Sequence, residues 1–176
     1  MKRISTVCAI VLALAAQGGR AQQGPVAGNH GTASKETADK IVVFKKQRTM
    51  QLLSQGRILK TYKIALGGNP VGPKQMQGDH KTPEGAYTID SRNSKSQFYL
   101  ALHISYPNAD DRARARRLGM SPGGAIMIHG LGKKFGWIGS SHTLTDWTDG
   151  CIAVTNEEIE EIWRLVPLRT PVEILP

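Results

Sequence analysis

Ile126-Met-Ile-His-Gly130 and Thr148-Asp-Gly-Cys-Ile-Ala-Val-Thr-Asn156 decide how this 176-residue chain is read. Each half is a short apolar run that delivers one reactive side chain, His129 in the first and Cys151 in the second. Two neighbouring strands would bring both to a common cleft. The pairing suits thiol chemistry, in which an imidazole takes the thiol proton and the thiolate attacks an acyl carbon. Gly150 lets the backbone turn tightly ahead of the sulfur, so that successive N–H groups can point at a developing oxyanion. These residues read as a cysteine acyltransferase.

Downstream, Thr155 with Glu158 three residues on fits a capping box, and Asn156 is an alternative cap. Ile159, Ile162, Trp163 and Val166 then share one helical face, so the helix packs on the sheet. Thr170 to Leu175 is a last strand. Between His129 and Cys151, Phe135, Gly136, Trp137, Ile138 and Gly139 could wall the cleft or simply pack, and the same holds for His142 and Trp147.

Upstream, Ile41–Phe44, Met50–Leu53 and Ile58–Leu66 read as an antiparallel meander of short strands. Val71 to Gly85 is a long turn-rich connection, with His80 as a solvated loop residue. Ala86–Ile89 and Phe98–Ile104 resume strand character. Asn108 caps a short exposed helix with Asp110 and Asp111 in its first turn, arginines after them, and Gly119 as its stop.

The first 21 residues carry a basic start, Lys2 and Arg3, an apolar run from Ile4 to Ala16, and small residues at Gly19 and Ala21. This is the pattern of a cleaved secretory signal. Gln22 to Lys40 has no apolar periodicity and reads as a flexible linker, so the fold is expected to begin at Ile41 and run to Pro176. Cleavage lowers the net charge from +9 to +6 and removes Cys8, leaving Cys151 as the only cysteine. An exported protein with one cysteine has no internal disulfide, so the thiol is either inert and buried or reactive. One domain with one core is expected, mostly β with two or three short helices.

Two other classes compete. A zinc peptidase could use His80, His129 and His142, although no paired histidine spacing typical of a metal site occurs. A non-catalytic wall-binding module with a buried thiol would leave Cys151 without a role.

With these motifs in place, the segment from about Ile41 to Leu175 resembles the L,D-transpeptidase catalytic domain of bacterial cell-wall enzymes, the YkuD domain. The resemblance rests on His129-Gly130 followed by Thr148-Asp-Gly-Cys151. Gly78-Asp-His-Lys-Thr-Pro-Glu-Gly85 and the terminal Thr170-Pro-Val-Glu-Ile174 support it. It implies a β-sandwich-like fold and a covalent mechanism on peptidoglycan stem peptides. Cys151 would attack the carbonyl between diaminopimelate and D-alanine. His129 would act as proton acceptor and donor, oriented by the Gly130 carbonyl. The N–H groups of Asp149, Gly150 and Cys151 would form the oxyanion hole.

The likeness implies no cofactor, no metal and no nucleic acid. It places the protein in the periplasm or cell envelope, with no membrane span after signal cleavage. A wall-linked protein is a further candidate acceptor or substrate. Two positions depart from the family pattern. Asp149 stands where many relatives have histidine, and Ala153 where they often have arginine. The departures place the chain nearer the YafK-like branch, similar to hydrolytic members that detach proteins from the wall, so a murein hydrolase using the same pair is the alternative. They also leave the substrate carboxylate without an anchor, for which Arg112, Arg114, Arg116 and Arg117 are the candidates.

Overall fold

Residues 36–176 are described by a computed structural model. The expected signal segment 1–21 and linker residues 22–35 lie outside the described residues. Eight strands form one mixed, hydrogen-bonded series: β1 (Lys40–Phe44), β2 (Thr49–Ser54), β3 (Arg57–Lys63), β4 (Gly85–Ser96), β5 (Tyr99–Ile104), β6 (Met127–His129), β7 (Ile152–Ala153) and β8 (Pro171–Leu175). Two α-helices, α1 (Ala109–Arg117) and α2 (Asn156–Leu165), and a 3₁₀ segment from Gly136 to Leu144 complete it. The fold is mostly β, as the sequence leads one to expect.

The order across the sheet is β3-β2-β1-β8-β4-β5-β6-β7. β8 runs parallel to β1 and antiparallel to β4, and so joins the meander to the half that carries the cleft. β6 pairs antiparallel with β5 and parallel with β7.

The core is aliphatic. Ile41, Met50, Leu52, Ile64, Ile89, Leu102, Ile104, Ile128 and Ile152 are all without exposed surface. Thr155 caps α2 through a reciprocal pair with Glu158, at 3.2 Å and 2.8 Å. Ile159, Ile162 and Val166 then bury completely. Each contributes about 2 kcal/mol by the area it removes from water.

Three features depart from expectation. The fold starts before Ile41: Ala38 is buried and its N–H donates to the Leu165 carbonyl at 2.8 Å. The stretch through Leu66 is not one strand. After Lys63 the chain leaves the ladder, and Ala65 bridges Ala153 while Gly67 bridges Thr148, because Ile64, Ala65 and Leu66 bury beneath the cysteine turn. β4 extends through polar Asp90–Ser96, held by pairing with β5 despite irregularities at Ile89/Ser91 and Asn93/Ser96.

Candidate active site

The sheet register sets the relation between the two reactive side chains. Ile128 pairs with Ile152, and His129 with Ala153. Side chains alternate across a strand, and Ile128 and Ile152 enter the core. His129, and Cys151 one step before β7, therefore stand on the opposite face. Both line one cleft of about 670 Å³.

His129 is 1% exposed. Its ring stacks on Phe98, with centroids 4.3 Å apart, and meets the edge of Trp147 at 5.9 Å. Nδ1 lies 2.6 Å from the Gly130 carbonyl oxygen. A carbonyl can only accept, so Nδ1 carries the proton and Nε2 keeps a lone pair. Burial pushes the imidazole pKa below its usual value, the Gly130 carbonyl opposes that shift, and His142 adds to it. The ring is thus held neutral and in one tautomer.

Asn156, the first residue of α2, fixes the turn behind this histidine. Because Thr155 takes the helix cap, the Asn156 amide is free to serve the loop. Its Oδ1 accepts the Leu131 N–H at 2.9 Å, and its Nδ2 donates to the Gly132 carbonyl at 3.3 Å. A Cβ at Gly130 would come within 2.6 Å of Asn156 Oδ1, so only glycine fits there.

Cys151 is half-buried, with Sγ 3.5 Å from the Ala125 carbonyl oxygen. Burial pushes its thiol pKa up; the Met127 N–H hydrogen-bonded to the sulfur pulls it down, and the Asp149 carboxylate pushes it up again. The thiol is therefore protonated at neutral pH. The turn before it is tight. Gly150 has φ +126°, and a Cβ there would meet the Lys81 carbonyl oxygen at 2.6 Å. Thr148 Oγ1 accepts the Gly150 N–H at 3.1 Å and donates to the Cys151 carbonyl at 2.7 Å. The Gly150 N–H, expected to face an oxyanion, is instead turned onto Thr148. Among the described residues no hydrogen bond takes the N–H of Asp149 or Cys151.

The turn-rich connection before β4 is an ordered brace. Asp79 accepts Lys74 Nζ at 2.7 Å and the N–H groups of Gln75, Met76 and Lys81. Thr82 Oγ1 accepts the Gly67 N–H at 3.0 Å. Lys45, buried at 2% exposure, donates to the carbonyls of Gly72 and Thr82 and to Glu84. His80 is exposed, as expected, yet its Nδ1 donates to Asp149 Oδ1 at 2.8 Å, tying this brace to the cysteine turn. On the other side of Trp147, Arg48 grips Asp146 at 2.7 Å while Asp146 Oδ1 accepts the Leu66 N–H at 2.9 Å.

The arginines of α1 do not line the cleft. Arg114 turns to the Lys74 carbonyl and Asp111, and Arg112 to the Pro107 carbonyl. The one cation lining the cleft among the described residues is Lys95.

His142 is buried in a second cavity of about 390 Å³ that shares Phe98 and Trp147 with the cleft. Neither of its ring nitrogens finds a partner among the described residues. No three His, Cys, Asp or Glu side chains among the described residues gather as metal ligands, so His80, His129 and His142 do not form the donor set a zinc peptidase would need. No described helix is long and apolar enough to cross a membrane.

The family model of the L,D-transpeptidase catalytic domain, YkuD, matches residues 38–174. YafK of Escherichia coli (strain K12) is 36% identical over 132 residues, covering 72% of this chain and 46% of YafK. Among solved structures, Pgp2 of Campylobacter jejuni, a helical cell shape determining protein, superposes with a TM-score of 0.60 at 26% identity. The match covers 79% of this chain and 48% of Pgp2. Bd1075 of Bdellovibrio bacteriovorus superposes with a TM-score of 0.55 at 28% identity, covering 80% of this chain and 48% of that one. The chain spans about half the length of these relatives.

Proposed function

The chain belongs to the L,D-transpeptidase catalytic domain family, and on that premise we propose that it is an exported cysteine acyltransferase acting on peptidoglycan stem peptides. One observation carries this reading: a neutral, tautomerically fixed imidazole and a half-buried thiol, the one cysteine among the described residues, face one cleft from paired strands.

His129 Nε2 takes the Cys151 proton as the sulfur adds to the carbonyl between diaminopimelate and D-alanine. The oxyanion is held by backbone N–H groups, those of Asp149 and Cys151, for which no partner occurs among the described residues. The imidazolium then protonates the departing amine, the C–N bond breaks, and a thioester remains on Cys151. In the second half, His129 takes a proton from the incoming nucleophile, which adds to the thioester, and returns it to the sulfur. The Gly130 carbonyl serves where other triads use a carboxylate: it fixes the tautomer and steadies the imidazolium.

The nucleophile of that second half decides the biology. An amine from another stem, or from a wall-linked protein, gives a cross-link. Water gives a murein hydrolase acting as carboxypeptidase or amidase. Asp149, where the family resemblance implies a histidine, supports this second reading. Either outcome remodels the wall in the cell envelope, and a role in cell shape follows the likeness to Pgp2. Incubation with purified muropeptides, followed by mass analysis of the products, tests the proposal. Cross-linked dimers indicate transfer, and shortened or released peptides alone indicate hydrolysis. Products that persist unchanged with Cys151→Ala overturn both.

A further inference from the structure

Beside the cleft, the cavity of about 390 Å³ that holds His142 has no part in the acyl-transfer chemistry. Phe98, Phe135, Trp147 and two aliphatic side chains wall it, and its polar lining is Ser141, His142 and Thr145. Among the described residues no Lys, Arg, Asp or Glu lines it. His142 is 6% exposed, and both of its ring nitrogens are buried without a partner among the described residues. Buried polar groups in native folds are almost always paired, so two open nitrogens facing a cavity call for an occupant. Burial pushes the His142 pKa below its usual value. The ring is therefore neutral and offers one N–H and one lone pair. The segment Gly136–Leu144, which brings His142 to the cavity, also leaves Trp137 and Leu144 83% exposed. Apolar surface of that kind marks a contact with a partner.

The lining sets the chemistry of that occupant. With no charged side chain in the wall, a carboxylate, phosphate or ammonium would lose its water and gain no counter-charge. A purely apolar group, such as an acyl chain, would cover the aromatic walls and leave both His142 nitrogens unpaired. What fits is a neutral group that carries an acceptor, a donor and apolar faces together. We propose that this cavity binds a 2-acetamido sugar of a glycan strand. The acetamido carbonyl accepts the His142 N–H, and a sugar hydroxyl donates to the other ring nitrogen. The acetamido methyl and the C–H face of the sugar ring cover Phe135 and Trp147. Trp137 and Leu144 offer apolar surface to sugars outside the cavity. The cavity and the cleft share Trp147 and Phe98, whose ring stacks on His129 at 4.3 Å. A glycan held here lies next to the cleft that, on the acyl-transfer reading, takes the peptide such a glycan carries. The inference goes beyond that reading, because it gives the domain a sugar site built from other side chains than the reactive pair.

The test titrates the full chain with two neutral tetrasaccharides in a calorimeter: chitotetraose, the tetramer of N-acetylglucosamine, and cellotetraose, which has hydroxyls in place of the acetamido groups. Chitotetraose should bind about tenfold more tightly, the upper end for one neutral hydrogen bond. His142→Leu keeps the apolar bulk and removes both ring nitrogens. Phe135→Ala alters the wall at an exposed position outside the buried core, so that one variant folds whatever the other does. Each should weaken chitotetraose binding by about the same factor of ten, and His142→Leu should bring the ratio between the two sugars close to one. Equal binding of the two tetramers, no binding of either, or a chitotetraose affinity that survives in either folded variant overturns the inference. None of those outcomes touches the acyltransferase reading, which a bare stem tetrapeptide tests through its adduct on Cys151. Absence of that adduct, with chitotetraose binding as expected, overturns the acyltransferase reading alone.

Discussion

At Cys151 and His129 the two protonation states pull in opposite directions from their ordinary values. Burial raises the thiol pKa and lowers the imidazole pKa. The resting pair is therefore thiol and neutral imidazole, not a preformed ion pair, so that in the proposed reaction proton transfer accompanies attack. Two outcomes follow. Alkylation of Cys151 by iodoacetamide should rise with pH through a midpoint on the alkaline side of about 8.5, and Asp149→Asn should move it to lower pH, because removing a nearby negative charge favours the thiolate. The acid limb of kcat/KM should lie below about pH 6.5, since His129 stays a base to lower pH than a free imidazole. Mass-resolved alkylation and a pH–rate profile read these directly. Both residues were legible in the sequence, because His-Gly after an apolar run and Gly-Cys before one are local signals. The contact between His80 and Asp149 was not, since 69 residues separate its partners. The engagement of Gly150 by Thr148 was equally hidden, because it depends on which way a hydroxyl turns.

Among the elements, the two helices could be read from the sequence and the brace could not. Thr155 and Glu158 form their box, and Asn108 caps α1 with Asp111 reciprocating. Capping and periodicity act within a few residues and so leave a local mark. The segment from Lys74 to Gly85 carries no periodicity, and its order comes from buried charge. Lys74 is 3% exposed and its partner Asp79 has an 8% exposed side chain. Asp79→Ala should cost about 3–5 kcal/mol in urea unfolding, because it strands a buried ammonium. Burial alone would raise the Asp79 pKa, but Lys74 and three backbone N–H groups hold it below the usual carboxylate value. Its stabilising contribution is therefore complete above the unfolded pKa, about 3.9, and fades as pH falls through the lower folded value. That loss should be absent in Asp79→Asn. At the start of α2, Asn156→Ala removes both hydrogen bonds that hold the turn after His129. It should destabilise the fold by about 1–3 kcal/mol and slow acylation of Cys151 more than it lowers the melting temperature accounts for.

For the molecule as a whole, β8 is the element on which the two halves depend. The meander of β1, β2 and β3 was readable from alternating short runs and turns. The insertion of the last strand between β1 and β4 was not, because pairing across most of the chain leaves no local trace. Ile174 is 1% exposed within that strand. Ile174→Ala should cost about 2–5 kcal/mol and lower the urea midpoint, although the residue is far in sequence from His129 and Cys151. The same sheet keeps the thiol and imidazole on one face, which is the claim that every chemical step above requires. Intact mass of the protein after exposure to a stem tetrapeptide or a carbapenem tests that claim most directly. One acyl adduct, mapped to Cys151 and lost in Cys151→Ala, is the predicted result. An unmodified mass under conditions where iodoacetamide still reaches the sulfur, or an adduct that survives Cys151→Ala, would contradict it.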